Sequence, residues 1–327
     1  MLFRQLEYFV AVARERHFAH AAAACRVSQP ALSAGIRKLE QELNVSLINR
    51  AHAFEGLTPE GELLVICAKR IVAERDAFKV DVHALKSGVT GVLRLGVVPS
   101  ASTTVALPVA AFCAAHPLAK VQIKSSLSST EIAGRLHDFE LDAGVTYLDA
   151  GEDPRLDVVP LYEERYVLIA SDKLIPDIST SMTWAQASRL PLAVLTPEMR
   201  SRQVIDAAFA RNQVPLVPQV ETDSIASLHA HMRTGRWASI VPHTWVQTIT
   251  PSPRTRVIPL VDPIATARVV VAISAASPGS VIARAFAAVA AKLSLDELFD
   301  QELGELFDQE LSMGLSGTST SAVKAVR

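Results

Sequence analysis

Apolar residues recur at helical spacing through the first part of the chain. Beyond it they come in short runs bounded by turn residues. This pattern predicts helices to about residue 88 and alternating strands and helices after it. Phe3, Leu6, Phe9, Val10 and Ala13 fall on one stripe of a first helix. An alanine-rich second helix, Phe18 to Ala24, is followed by a turn at Arg26-Val27. Ser28 then stands where an N-cap is needed, and Pro30 falls in the first turn, where its missing N–H costs little. A third helix is predicted from Gln29 to Leu43, with Leu32, Ile36, Leu39 and Leu43 on one face at about 100° per residue. Its opposite face carries Pro30, Ser33, Ala34, Arg37, Lys38 and Gln41. Small, polar and basic side chains form the kind of surface a DNA major groove accepts.

Asn44 to Leu57 is long enough for a small β-hairpin wing, with strand-like Ser46 to Arg50 and a turn expected at Glu55-Gly56. Thr58-Pro59-Glu60 starts a long helix that reaches about Lys86 and stops at Gly88. Leu63, Leu64, Ile66, Ile71, Val72, Phe78, Val82 and Leu85 read as its apolar stripe. With no neighbour expected in its own small domain, that helix is predicted to pair with its copy in a second subunit.

Two joints stand out, Ser87 to Gly91 and Ser277-Pro278-Gly279. Between them three strand-like runs lead into hydroxyl-rich segments: Pro99 to Thr103, Ser126 to Thr130 and Thr196 to Arg202. Each places hydroxyls and free backbone N–H groups at a helix start, which suits an anion or carboxylate. The candidates are Ser100, Ser102, Thr103, Ser128, Ser129, Thr130, Thr196, Pro197 and Met199, with Arg202 as a guanidinium. The plainer reading of any one of these hydroxyls is a helix cap.

Composition narrows the picture. A chain of 327 residues with 49% hydrophobic and 20% charged residues is folded, in two or three domains. The net charge of −2 means that a DNA-binding role has to rest on a local basic surface. Cys25, Cys67 and Cys113 are widely spaced and fit no metal site, which points to free thiols in a reducing cytoplasm. The first residues are interrupted by Arg4, Glu7 and Arg14, unlike a signal peptide, and apolar runs such as Val269 to Ala276 are too short to span a bilayer. His17 and His20 lack a third ligand nearby, so they read as packing or solvent residues. Neither a glycine-rich phosphate loop, a metal triad nor a nucleophile elbow is present, which argues against an enzyme and against any cofactor. Near the end, Glu297 to Leu303 repeats as Glu305 to Leu311. This acidic repeat is either an amphipathic helix that packs on a partner or a duplication without a role, the second being the plainer reading. Ser312 to Arg327 is Ser/Thr-rich and expected to be disordered.

The ordered run Phe9 to Ala13, Ala21-Ala22, Val27 to Ser33 and Ile36 to Glu40, followed by Leu57-Thr58-Pro59-Glu60-Gly61, resembles the N-terminal signature of LysR-type transcriptional regulators. Leu95-Gly96-Val97, Leu141 to Val145, and Glu221 to Ser224 with Gly235 and Val241-Pro242 resemble more loosely the effector domain of that family. Where the family has Ser before the second helix, this chain has His17; its wing reads Arg50-Ala51-His52-Ala53-Phe54, with less arginine; and Arg236-Trp237-Ala238-Ser239 replaces a glycine-rich segment.

The resemblance implies an N-terminal all-α winged helix-turn-helix (1–58), a long linker helix for dimerisation (59–88) and an α/β effector domain of two subdomains in a periplasmic-binding-protein-like arrangement (91–293). Subdomain I would take 91–163 and 267–293, subdomain II 164–266, and a tail 294–327. It implies a regulator in which Ser28, Gln29, Pro30, Ser33, Arg37, Lys38 and Arg50 meet double-stranded DNA at a partly palindromic promoter site. A small, anionic effector would bind between the subdomains. The assembly would be a homodimer through the linker helix and a homotetramer through the effector domains, without membrane contact. Two alternatives stand beside this. A redox-responsive or ligand-independent regulator is one, although Cys113 is the one effector-domain cysteine. A solute binder or enzyme with an appended DNA-binding module is the other.

Overall fold

The computed structural model describes residues 1–50, 54–148, 151–175, 181–246, 254–275, 279–301 and 303–305, without the side chains of Arg50, Ala77 and residues 79–87. The expectations for the joint residues Ser277 and Pro278, for the tip of the wing, for Val82 and Leu85 and for the last part of the tail lie outside it.

Helices α1 (Phe3–Glu15), α2 (Phe18–Ala24) and α3 (Gln29–Leu43) enclose Leu6, Phe9, Val12, Leu32, Ile36 and Leu39. The Ser28 hydroxyl accepts the Ala31 N–H at 3.4 Å and starts α3. His17, in the place of the expected serine, does the same for α2: its Nδ1 accepts the His20 N–H. The buried face of α1 is wider than its sequence stripe. Ala11 and Val12 are buried, Val10 and Ala13 are half-buried, and Phe3 is exposed. The reason is that α2, α3 and the long helix that follows all pack on α1.

Strands β1 (Ile48–Arg50) and β2 (Phe54–Leu57) form an antiparallel hairpin. Glu55 and Gly56 lie within β2 rather than at the turn, and Gly56 stands opposite Asn49. Glu40 fastens the hairpin to α3, its carboxylate accepting the N–H groups of Leu47 at 2.9 Å and Ile48 at 3.3 Å.

Helix α4 (Pro59–Ser87) begins under Thr58, whose hydroxyl accepts the Gly61 N–H at 2.9 Å and donates to the Ser46 carbonyl at 2.6 Å. A side chain at Gly61 would place its Cβ 2.1 Å from the Leu47 carbonyl oxygen, so the wing and the helix can meet here only at glycine. The apolar residues of α4 divide between two faces instead of forming one stripe. Leu64, Val65, Ala68, Ile71 and Val72 pack on the helical core, so the helix does have a neighbour in its own unit. Arg75 reinforces that contact by pairing with Glu7. Leu63, Ile66 and Phe78 remain exposed.

The rest is α/β. Strand β3 (Gly91–Val97), helix α5 (Ala106–Ala115), strand β4 (Ala119–Lys124), helix α6 (Ser129–His137) and strand β5 (Ala143–Tyr147) build a first lobe. Strand β6 (Leu156–Ser171) leads into a second lobe of β7 (Met182–Thr183), α7 (Trp184–Ala187), β8 (Ala193–Leu195), α8 (Arg200–Arg211), β9 (Val220–Thr222), α9 (Ile225–Arg233), β10 (Ser239–Pro242) and β11 (Thr255–Val261). Strand β12 (Thr266–Ser274) and helix α10 (Val281–Ala290) return to the first. The first sheet runs β4-β3-β5-β12-β6, with β3 parallel to both β4 and β5. Strand β6 pairs with β12 along 156–165 and with β10 and β11 along 166–171, so it belongs to both lobes. Gly144 lets α6 lie close on this sheet, since a Cβ there would fall 2.3 Å from Ile132 Cγ2, and Gly96 leaves room for Leu141, whose Cδ1 would lie 2.5 Å from a Cβ.

Gly61→Ala should destabilise the protein by about 1–3 kcal/mol, the usual cost of forcing extra volume into a packed contact. Urea unfolding of the full chain measures it; an unchanged midpoint would show that the wing and α4 are free to move apart.

Candidate functional site

On α3 the residues opposite the core are available to a partner. Ser28, Gln29, Pro30, Arg37 and Lys38 are exposed, Ser33 is half-buried, and the neighbouring Ala34 is small and exposed. The periodicity that buries Leu32, Ile36 and Leu39 forces this surface outward. Arg50 ends β1, and its side chain lies outside the described residues.

A narrow cleft separates the lobes, with a cavity of about 10 Å³, room for about one water-sized group. Val98–Ser100, Leu127–Ser129 and Tyr147 line it from the first lobe, Glu198–Ser201 from the second. Four of the sequence candidates therefore come together: Ser100, Ser128, Ser129 and Met199. Two of their hydroxyls already have work. Ser128 caps α6 in a reciprocal pair with Glu131, accepting its N–H at 3.2 Å and donating to its carboxylate at 2.9 Å. Ser100 bonds to the Tyr147 hydroxyl at 2.5 Å. Ser129 differs: its Oγ is buried and has no partner among the described residues.

Ser102, Thr103, Thr130, Thr196 and Pro197 do not line the cleft. Arg202, expected in the cleft, does not line it. It is 7% exposed, pairs with Glu221 at 2.6 Å and Asp206 at 2.8 Å, and donates to the Leu195 carbonyl at 2.6 Å. Its guanidinium braces α8 against β8 and β9. Residues two apart on a helix point about 200° apart, so Arg200 occupies the other face. It is exposed, it lines the cleft, and it sits in the first turn of α8. A cation is electrostatically disfavoured at that end of a helix, and an anion is favoured. An anion between the lobes would meet Arg200, the N-terminus of α8 and the free Ser129 hydroxyl.

Behind the cleft lies a buried polar group that sequence reading passed over. Glu164, fully buried on β6, accepts a hydrogen bond from the Tyr147 hydroxyl at 2.6 Å. Its other oxygen and the Tyr166 hydroxyl have no partner among the described residues. Burial pushes its carboxyl up to about 8, against an ordinary 4.5. Tyr162 bonds to Thr104 at 2.7 Å, and Trp245 of the second lobe donates to the Ser100 carbonyl of the first at 2.7 Å. His243 accepts the Arg165 N–H at 3.0 Å, and burial pulls its imidazole down to about 4. A signal was present in Tyr162-Glu163-Glu164-Arg165-Tyr166, where alternation puts Tyr162, Glu164 and Tyr166 on one strand face. A larger cleft of about 820 Å³ lies between α1, α4 and the first lobe. Among its charged lining residues, Lys69 pairs with Asp138 at 3.1 Å and Arg94 with Asp142 at 2.8 Å.

Two family models match the chain: a bacterial regulatory helix-turn-helix protein of the lysR family over residues 3–62, and a LysR substrate binding domain over 86–294. Among curated relatives, a probable hydrogen peroxide-inducible genes activator of Streptomyces viridosporus is 36% identical over 50% of this chain and 53% of its own length. The hydrogen peroxide-inducible genes activator of Haemophilus influenzae is 32% identical over 65% of this chain and 67% of its own. The chain thus matches about half of the first of these relatives. A full-length OxyR variant from Pseudomonas aeruginosa shares the fold with a TM-score of 0.74 at 24% identity, over 91% of this chain and 97% of that one. Full-length CbnR complexed with its target DNA follows with 0.61 at 21%, over 89% and 99%.

The buried Glu164 makes a sign-definite forecast. Its carboxyl is raised in the folded state, so its contribution to stability is full below about 4.5 and is lost as the pH climbs through about 8. His243 acts oppositely: its contribution is present above 6.5 and is lost as the pH falls through about 4. Glu164→Gln should leave a protein more stable than the parent at the alkaline end, the gap closing as the pH drops. Urea midpoints of both proteins across that interval test this; parallel curves would place the carboxylate in a solvated setting.

Proposed function

Because the chain belongs to the LysR family of bacterial helix-turn-helix regulators, we propose that it binds promoter DNA through α3 and the β1–β2 wing, and that a small anionic metabolite between the lobes controls that activity. The family is one of DNA-binding transcriptional regulators rather than enzymes. Residues 1–58 would be the DNA-binding domain, 59–88 the linker helix and 91–293 the effector domain, divided at β6 and β12. The protein would act in the cytoplasm. Among the described residues no helix is long and apolar enough to cross a membrane.

The observation that carries the effector reading is the convergence of Arg200 and the unpartnered Ser129 hydroxyl from opposite lobes on one cleft. A ligand touching both lobes favours whichever arrangement of the lobes it binds more tightly, and so shifts how the DNA-binding heads are presented. Leu63, Ile66 and Phe78, exposed on α4, supply an apolar face for a homodimer, with a homotetramer through the effector domains. A two-fold dimer reads a partly palindromic site.

A second reading follows from the peroxide-inducible relatives and from a Corynebacterium glutamicum OxyR structure with bound H2O2. Disulfide switching within one effector domain needs two cysteines there. Cys113 is the one cysteine between residues 91 and 293, half-buried against the first-lobe core. The anion reading is therefore favoured.

Arg37→Ala should weaken specific DNA binding by about 1–3 kcal/mol if the side chain reads a base. Gel shifts on promoter and scrambled fragments decide it, and equal, unchanged affinity on both would remove α3 from the interface. Arg200→Ala should abolish calorimetric binding of the small carboxylates or inorganic anions that the parent protein takes up, while DNA affinity without ligand stays the same. Binding that survives in that variant, or a parent that takes up neutral compounds alone, would sink the anion site.

A further inference from the structure

Residues 295–301 and 303–305 are helical and lie across the crossover between the lobes. Leu295 and Phe299 are buried in the first-lobe core, and Leu303 packs on the second-lobe cluster that contains Trp245. A spacing of four puts all three on one helix face. The ring of Phe299 meets Tyr162 edge-on at 5.1 Å and His243 at 6.2 Å. Asp296 accepts the Glu163 N–H at 2.7 Å, and Asp300 pairs with Arg165. The contacts to Tyr162, Glu163, Arg165 and His243 fall on β6 or beside it, where the chain passes from one lobe to the other.

The residues that dock are those that repeat. Glu-Leu-Phe-Asp-Gln-Glu-Leu occurs at 297–303 and again, letter for letter, at 305–311. Leu303 stands one repeat on from Leu295, and Phe307 and Asp308 correspond to Phe299 and Asp300. The contact from Asp296 has no counterpart, because Gly304 holds that place.

We propose that the surface of Tyr162, Arg165 and His243 is a docking site for this acidic amphipathic heptapeptide, and that the second copy, Glu305–Leu311, is an alternative occupant in the same chain. An occupant needs a Phe for the apolar notch, an acid one residue later for Arg165 and a Leu four residues after the Phe for the second lobe. Both copies supply them. For the second copy to dock, the first must loop out, at a cost that grows only logarithmically with loop length. The first copy therefore holds the site in the intact protein, and the second takes it when the first is lost. Either occupant bridges the lobes and restrains the hinge.

Full-length Phe299→Ala, Phe307→Ala and the double variant separate the possibilities, with far-UV circular dichroism to verify folding. The readout is hydrogen–deuterium exchange of the Glu163 to Tyr166 amides. Phe307→Ala should match the parent, Phe299→Ala should exchange less than about 3-fold faster, and the double variant about 10-fold faster or more. A single Phe299→Ala as fast as the double variant overturns the second occupant, and a double variant as slow as the parent overturns the docking site. If exchange in Phe299→Ala slows with rising protein concentration, the second copy docks on a neighbouring molecule, and same-chain occupancy is overturned. Arg165→Asp should release both copies, and adding Asp300→Arg should restore protection; failure to restore it removes the ion pair from the proposal.

Discussion

Strand β6 pairs with β12 along its first part and with β10 and β11 along its second, so one continuous strand carries both lobes of the α/β unit. That strand fixes what else is possible. The lobes can rotate about it but cannot separate without breaking a central strand. The cleft has to open beside it, at the strand ends where Ser100, Ser129 and Arg200 gather. The tail helix seats on its midpoint, and Glu164 is buried within it. Side chains at the middle of β6 therefore serve two cores at once, and a change there is felt in both.

The polar groups around that midpoint are poor choices for stability alone. A buried carboxyl with one oxygen unpartnered, and a tyrosine hydroxyl in the same condition, cost more than an apolar strand face would. Arg200 at the start of α8 works against the helix dipole in the same way. By contrast, Arg202 is wholly absorbed in bracing α8, and Ser128 in capping α6. The separation is physical: groups with partners hold the lobes in shape, while Ser129 and Arg200 are left facing the cleft.

The N-terminal unit solves a different problem, since its three helices are too short to stand alone. Side-chain caps at Ser28 and His17, the Glu40 clasp on the wing and the close approach at Gly61 fix the angles between elements. The long helix adds its inward face to that core and presents its other face to solvent. The same helix thus both completes the N-terminal core and leads away from it toward the α/β unit.

The helices of the N-terminal unit were legible in the sequence, because caps and periodicity act between residues a few positions apart. Ser28 and Pro30 mark the start of α3, and Leu32, Ile36 and Leu39 mark its buried face whatever lies elsewhere. The resemblance of Val27 to Ser33 and Leu57 to Gly61 extended that reading to the order of the domains. What failed depended on distant partners. The two faces of α4 were read as one, since the choice between neighbour and solvent is made by α1. Arg202 was placed in the cleft and Arg200 overlooked, since the phase of α8 against β8 and β9 is set by packing. Glu164 drew no notice in the sequence, since its burial is made by distant partners such as β12 and Tyr147. By itself the sequence determined the elements and the exposed face of α3, because hydrogen bonds and apolar spacing within one segment decide them. Only the tertiary structure decided which hydroxyls and guanidinium face the cleft, because that depends on how segments far apart in sequence turn toward one another.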